Sequence, residues 1–468
     1  MGDSAAVRSC RRRPTYYAEP SRTSPGRTSL AVRMNADRRP RPDTRPDHRS
    51  PRVRSLLAHR DFRLLWIGET TSQLGSAITG VALPLVAVVT LDADTFSVAL
   101  LGAAAWLPWL VVGLPAGAWV DRLRRRPVML TANLASALLL ASVPVAAWLG
   151  LLTLGHLLTV ALASGAAAVF FFTAYHAYLP TLLTPTDLVR GNATLQGGEQ
   201  AAQVTGRGLG GLLAQVFGAT AGLLADAVTF VVSSACLVAI RAQEPPPPGP
   251  AQATGLARQV REGLRFVAAD PYLRAFTAFG ATANFALQGY QAVQVVFLVR
   301  EVGVSPGVVG VLVACASVGG VLGATVAHRV SRRFGTARGL LLCQLGTAPF
   351  GLLMAFTGAG SGLVLFVVGA FLVATGIVAT NVIVGGFRQG YCPPTLLGRV
   401  VATTMFLNHS TIPVGAVVAG ALGSTLGLRP TMGVLTGLLA LSGLFLLGSP
   451  LRGRRDLPTS PPAVSVVG

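Results

Sequence analysis

No lysine occurs in this 468-residue chain; all 38 of its basic residues are arginine. That absence excludes a phosphate-loop lysine for ATP hydrolysis, a Schiff base to a cofactor and a kinase-type lysine. Charge of either sign is scarce, at 12% of residues, where a soluble globular protein carries roughly 25%. So little polar surface excludes an ordinary cytosolic enzyme or a secreted domain. Cysteine is also sparse: Cys10, Cys236, Cys315, Cys343 and Cys392 share no metal-ligand spacing, and three lie in apolar runs. Cysteine in such runs packs as a small hydrophobe, so neither a metal site nor a disulfide framework is expected. The chain shows no nucleophile elbow and no HExxH helix, and it is expected to be neither an enzyme nor a cofactor carrier.

What is abundant is apolar length. The composition is 51% apolar and the mean hydropathy is +0.58. Residues 1–60 stand apart, with 15 arginines, the five acids Asp3, Glu19, Asp37, Asp43 and Asp47, and no apolar run. Such a segment cannot bury enough surface to offset its ordering entropy and reads as a disordered basic tail. It contains no folded module for reading nucleic acid, so a lipid surface is the expected partner. Alternatively, translation starts at Met34 and the tail is shorter. The first long apolar stretch begins some sixty residues in, so no cleavable leader is expected.

From Asp61 onward the apolar runs are near the length that crosses about 30 Å of hydrocarbon. Twelve are predicted, near 62–90, 97–120, 127–149, 156–178, 189–216, 219–240, 272–299, 306–328, 338–357, 361–386, 399–423 and 430–448. Arginine placement supports the count. With both ends inside, 35 arginines fall on the cytoplasmic side, only Arg300 and Arg429 fall outside, and Arg207 lies within a span. That split follows the positive-inside bias. The stretch 241–271 opens with Glu244 and four prolines, then reads as an amphipathic surface helix over 256–269. The expected organisation is a cytoplasmic tail (1–60), a six-helix bundle (61–240), a cytoplasmic linker (241–271), a second six-helix bundle (272–448) and a C-terminal tail (449–468). Weak echoes relate the halves: Gly117–Arg126 with Gly323–Arg333, and Leu179-Pro-Thr-Leu-Leu183 with Pro394-Thr-Leu-Leu397. Duplicated six-span units with a site between them are the plan of many secondary transporters.

The segment Gly113-Leu-Pro-Ala-Gly117-Ala-Trp-Val-Asp121-Arg122-Leu-Arg124-Arg125-Arg126 resembles the signature loop of the major facilitator superfamily. Asp61-Phe-Arg-Leu-Leu-Trp66, Asp226-Ala-Val-Thr-Phe-Val-Val-Ser233, Glu262-Gly-Leu-Arg-Phe266 with Asp270-Pro271, and Pro413-Val-Gly-Ala416 with Gly420 resemble its drug and siderophore exporter branch. The resemblance covers roughly residues 60–450. It implies an all-α membrane protein of twelve helices in two pseudo-symmetric bundles, and a conformational latch formed by Gly117, Asp121 and Arg122. Small Gly113 and Gly117 are expected to let helices pack closely, while Arg124 to Arg126 individually are read as setting topology. Arg124 stands where the family usually has glycine. In Gln203-Val-Thr-Gly206-Arg207-Gly208-Leu-Gly210-Gly211, which resembles the exporter motif of span 5, Arg207 replaces a proline. The arginine that many drug/proton antiporters carry in span 4 is absent.

Ionisable groups at membrane depth are costly and so are candidates for function. Glu69, Glu199 and Asp226 are the candidate proton-coupling residues, and Glu69 is preferred. A carboxyl in a low-dielectric cavity can exchange a proton near neutral pH. Glu199, Gln203 and Arg207 follow i, i+4, i+8 on one helix face, and a Glu199–Arg207 ion pair is one reading of them. Asp226 has a structural reading beside the transport one. The candidate cavity lining is Trp66, Gln73, Gln203, Arg207, Asn284, Gln288, Gln291, Asn381 and Asn408, with Gln294, Phe285 and Phe406; hydrogen bonding between helices is the other reading of the amides. The expected activity is proton-coupled export of hydrophobic small molecules such as antibiotics or siderophores by a monomer in the plasma membrane. An importer of the same fold and a non-transporting receptor are the alternatives.

Overall fold

Apolar runs that cross a bilayer must satisfy their backbone groups internally, which leaves the helix as the available form here. The computed structural model describes residues 56–120, 122–184, 187–242, 244 and 256–458. Among these, nine helices are long and apolar enough to cross a membrane: Arg60–Thr90 (span 1), Arg125–Trp148 (span 3), Leu154–Leu182 (span 4), Ala221–Ala239 (span 6), Pro306–Phe334 (span 8), Thr336–Phe356 (span 9), Gly360–Tyr391 (span 10), Leu396–Leu426 (span 11) and Leu428–Leu447 (span 12). Span 2 is Thr95–Val111 continued, after a break at Val112, by Gly113–Val120. Spans 5 and 7, Leu188–Phe217 and Pro271–Val296, are long enough but more polar. All twelve predicted segments are therefore helices, in an all-α membrane fold. A further amphipathic helix runs from Leu256 to Ala269.

Helix starts follow local chemistry. Asp270 caps span 7 by accepting from the Tyr272 and Leu273 N–H groups, each at 2.9 Å, with Pro271 in the first turn. Thr153 accepts from His156 N at 3.2 Å to start span 4.

The halves repeat each other in detail. Spans 1 and 7 both end in a π turn, Val86–Thr90 and Phe297–Glu301. Two residues after each turn the backbone enters the left-handed region, at Asp92 (φ 47°) and Gly303 (φ 77°). In each half an acid that follows the last span caps the third. Glu244 accepts from the backbone N–H groups of Arg125 (2.6 Å) and Arg126 (3.3 Å), and Asp456 accepts from Thr336 N at 2.9 Å.

Twelve spans place Leu56 and Leu457 at one end of the bundle, together with Arg122–Arg126, Arg388, Arg399 and Arg452–Arg455; this is the arginine-rich end. One buried apolar cluster runs through the C-terminal half and continues into the arginine-poor end of the N-terminal half, through Leu85, Leu101, Val143, Leu157 and Leu223. At the arginine-rich end the N-terminal half has its own cluster, with Phe62, Met129, Tyr178, Leu179 and Ile240. The halves thus share a core at the arginine-poor end, while toward the arginine-rich end their buried cores are separate.

Candidate transport cavity

The closure at the arginine-poor end rests on backbone contact between the halves. A Cβ on Gly211 of span 5 would lie 2.5 Å from Gly310 Cα of span 8, so only glycine permits that approach. Around it, Arg300 pairs with Asp92 at 2.6 Å and Ser305 Oγ donates to Gln215 Oε1 at 3.4 Å. Below it, toward mid-depth, Arg207 Nη1 donates to Ser317 Oγ at 2.8 Å.

Spans 1, 4 and 5 bring the candidate carboxylates together. Gln73 Nε2 donates to Glu69 Oε1 at 2.8 Å, one turn away on span 1. The second oxygen, Glu69 Oε2, is buried without a hydrogen-bond partner. Glu199 lies within electrostatic reach of Glu69 and of His176, and Tyr175 within reach of both carboxylates. Tyr175 and His176 of span 4 were not singled out from the sequence. Their signal was the aromatic run Phe170-Phe171-Phe172 continuing at helical spacing to Tyr175.

An aromatic band crosses between the halves at mid-depth. His176 lies 4.1 Å from Phe172, Phe172 5.1 Å from Trp109, and Trp109 6.0 Å from His409, measured between ring centres. Trp106 adds a second contact to His409 at 5.9 Å. Each histidine's Nδ1 meets the carbonyl one turn earlier, Phe172 O at 3.0 Å and Met405 O at 2.8 Å. A carbonyl only accepts, so Nδ1 carries the proton.

Several expectations are corrected. Glu199 and Arg207 do not form an ion pair; Arg207 instead crosses to Ser317 of the other half. Eight residues of helix separate the two by about 12 Å along the axis, and span 8 offers the guanidinium a nearer acceptor. Asp226 does not face the cavity. It is buried between spans 1 and 6, accepting from Thr79 Oγ1 at 2.5 Å and Thr229 Oγ1 at 3.0 Å. Trp66 ties spans 1 and 5 together by donating to Thr194 O at 3.3 Å. A methyl added at Gly113 or Gly117 would meet nothing within 4 Å. The packing of Gly113–Val120 comes from another face, through buried Ala116 and Val120 and a Trp119–Phe170 stack. Arg125 and Arg126 do more than set topology. Their backbone N–H groups start span 3 on Glu244, Arg125 Nη1 lies 3.8 Å from Glu244 Oε1, and Arg126 Nη2 donates to Val238 O at 2.6 Å. Arg122 is exposed, and Asp121 lies outside the described residues.

The amides divide. Gln288, Gln291 and Gln294 are all half-buried on span 7. Asn284 Nδ2 donates within its own helix, to Gly280 O at 2.9 Å. Asn408 lies against Gly280 with its carbonyl oxygen buried and unbonded, and Asn381 is exposed. Gln203 is half-buried on span 5. A separate cleft of about 310 Å³ lies between spans 8 and 10, bounded by His328, Ser331, Phe387 and Leu457. It contains none of the candidate residues, and the transport site is taken as the space between the halves.

The fold agrees with comparisons to known proteins. The structure overlays on the nucleoside transporter NupG with a TM-score of 0.67, at 12% identity over 83% of this chain and 98% of that one. A bacterial homologue of the iron transporter ferroportin overlays at 0.69 in its inward-facing state, with 16% identity and coverage of 86% and 100%. In the outward-facing state a bacterial homologue of ferroportin overlays at 0.54, with 17% identity and coverage of 83% and 98%. In sequence, the chain is 27% identical over 406 residues to the multidrug efflux pump Tap of Mycolicibacterium fortuitum, covering 85% of this chain and 98% of the relative. These are transporters rather than enzymes, and a multi-pass chain of this kind works in a membrane on a small-molecule substrate. The model of the transmembrane secretion effector family matches residues 54–462, and the chain therefore belongs to that family of major facilitator superfamily transporters.

Proposed function

We propose that this transporter exports hydrophobic small molecules in exchange for protons, as a monomer in the plasma membrane with both termini cytoplasmic. Three features support the direction and orientation. The arginine-rich end is the one the positive-inside bias assigns to the cytoplasm. The buried cores of the halves are separate at that end, so substrate enters from the cytoplasm or inner leaflet. The similar Tap protein is a multidrug efflux pump.

The observation that carries proton coupling is Glu69, with one oxygen held by Gln73 and the other buried and unbonded. A carboxylate so placed is costly as a buried charge, and taking a proton removes that charge. Glu199 shares the region, so a proton on either carboxylate relieves repulsion between them. In the proposed cycle, substrate binds in the cavity, the halves rock, and the Gly211–Gly310 contact opens. A proton arriving from outside at Glu69 then resets the carrier. Gly117, Asp121 and Arg122 form the latch that re-closes the cytoplasmic side. Asp226 serves to join spans 1 and 6.

The test is drug accumulation in everted membrane vesicles under an imposed acid-inside gradient, over a panel of antibiotics and dyes. Wild type should accumulate one chemical class, and Glu69→Gln should lose gradient-driven accumulation while still binding the compound. Full accumulation by Glu69→Gln would move the coupling site to Glu199. Gradient-independent accumulation by wild type would end the proton-exchange reading.

A further inference from the structure

We infer that Arg207 forms a subsite for an anionic group, so that the molecules this carrier binds best are apolar compounds bearing a carboxylate or a similar acid. This rests on the reading of the space between the halves as the transport cavity, and narrows its substrate class.

Arg207 lies well inside span 5, and its placement is unusual for a cation. Among the described residues its guanidinium has one hydrogen-bond partner, the neutral Ser317 hydroxyl at 2.8 Å. No ion pair is formed there among the described residues, and the charged group nearest on its own helix, Glu199, is two turns away. None of the other described acids at membrane depth forms an ion pair with it. Asp226 is taken up by Thr79 and Thr229 between spans 1 and 6, and Glu69 is held by Gln73. From the other half Tyr290 of span 7 lies within electrostatic reach of the guanidinium.

A cation at membrane depth without a counter-charge is costly, and such a group is a candidate to serve a ligand. The planar guanidinium offers five donors in a fork that matches a carboxylate. One donor is used by Ser317, which leaves two or more on one edge for a bidentate contact. The site's position gives it a function. Arg207 and Gly211 are one turn apart, i and i+4, on the face of span 5 that meets span 8, so the guanidinium lies just beneath the glycine contact that closes the cavity. An anion that seats on the free edge engages the same guanidinium that bonds Ser317 across the halves, next to that closure.

The test is equilibrium dialysis of 2-naphthoate and its neutral isostere 2-naphthamide against purified full-length protein in detergent. Wild type should bind the anion at least ~10-fold more tightly than the amide, the effect of one charge-assisted contact. Arg207→Gln should lose that preference while leaving amide affinity unchanged. Ser317→Ala, which frees the guanidinium without removing its charge, should keep or increase the preference. An unchanged elution profile on gel filtration confirms that each variant is folded. Equal binding of the two probes to wild type, binding of neither, or a preference that survives Arg207→Gln would overturn the subsite. None of these outcomes bears on gradient-driven export, which the Glu69 vesicle assay reads separately.

Discussion

Replacing Gly211 by alanine adds one carbon atom at the point where the two halves touch. That atom would lie 2.5 Å from Gly310 Cα, 2.6 Å from Pro306 O and 2.7 Å from Gly310 N. Carbon atoms pack at about 3.5–4.0 Å, so spans 5 and 8 must separate by about 1 Å there. All three neighbours are backbone, so no side chain can rotate away. Overpacking of this kind costs about 1–3 kcal/mol, and the cost falls on the conformation closed at the arginine-poor end. A coupling of that size moves a conformational equilibrium by about 5–150-fold. The population can be read by cross-linking in a cysteine-free background. A Cβ on Gly307 would lie 3.5 Å from Gln215 Cβ, within the range of a disulfide. Gln215→Cys with Gly307→Cys should therefore oxidise readily, and adding Gly211→Ala should slow the reaction at least ~5-fold. Gly197→Ala on the same helix has nothing within 4 Å of the new atom and serves as the control. If Gly211→Ala cross-links as fast as the control, the glycine contact does not set the closed state.

The same disulfide should stop transport, with recovery on reduction, since it locks the halves together; transport by the fully oxidised pair would show that this end does not open. Removing the Glu244 cap with Glu244→Ala should destabilise the N-terminal half by about 1 kcal/mol, seen as a lower midpoint in thermal unfolding. Asp456→Ala should do the same for span 9, and a loss in one variant only would break the equivalence of the two caps. Asp226→Ala leaves the Thr79 hydroxyl without its acceptor, while Thr229 Oγ1 keeps the backbone carbonyl of residue 226, and should cost about 1–3 kcal/mol, whereas Asp226→Asn keeps an acceptor and should lose less. Gradient-driven transport that is abolished in a fully stable Asp226→Asn would instead return Asp226 to proton coupling.

Much of the architecture was legible because the bilayer imposes it. Runs such as 306–328 and 361–386 are long, apolar and bounded by turn residues, and the backbone in such a run has only the helix to satisfy it. Asp270-Pro271 starts span 7 for a local reason, a side-chain acceptor beside a residue that needs no N–H bond. Amphipathic spacing over 256–269 announced the surface helix. Spans 5 and 7 were harder to recognise by composition, since Glu199, Arg207 and the span 7 amides dilute their apolar content.

The candidate site was legible as a set of residues but not as an arrangement. Spacing placed Glu199, Gln203 and Arg207 on one helix face. It could not tell that Arg207 would bond across to Ser317, because the partner lies on a helix 110 residues away. Asp226 and Glu69 are both carboxylates within spans, yet one is buried against two threonines and the other has an oxygen left unbonded. Glu244 reads in sequence as the opening of a linker, and its role as the cap of span 3 exists only because spans 3 and 6 end side by side. The sequence by itself determined which segments cross the membrane, how many there are and which end carries the arginines, since these follow from length, hydropathy and charge along one chain. Tertiary structure alone decided which faces meet, where the halves touch through glycine and which charges are left without partners, because those depend on the rotation of each helix about its axis against helices distant in sequence.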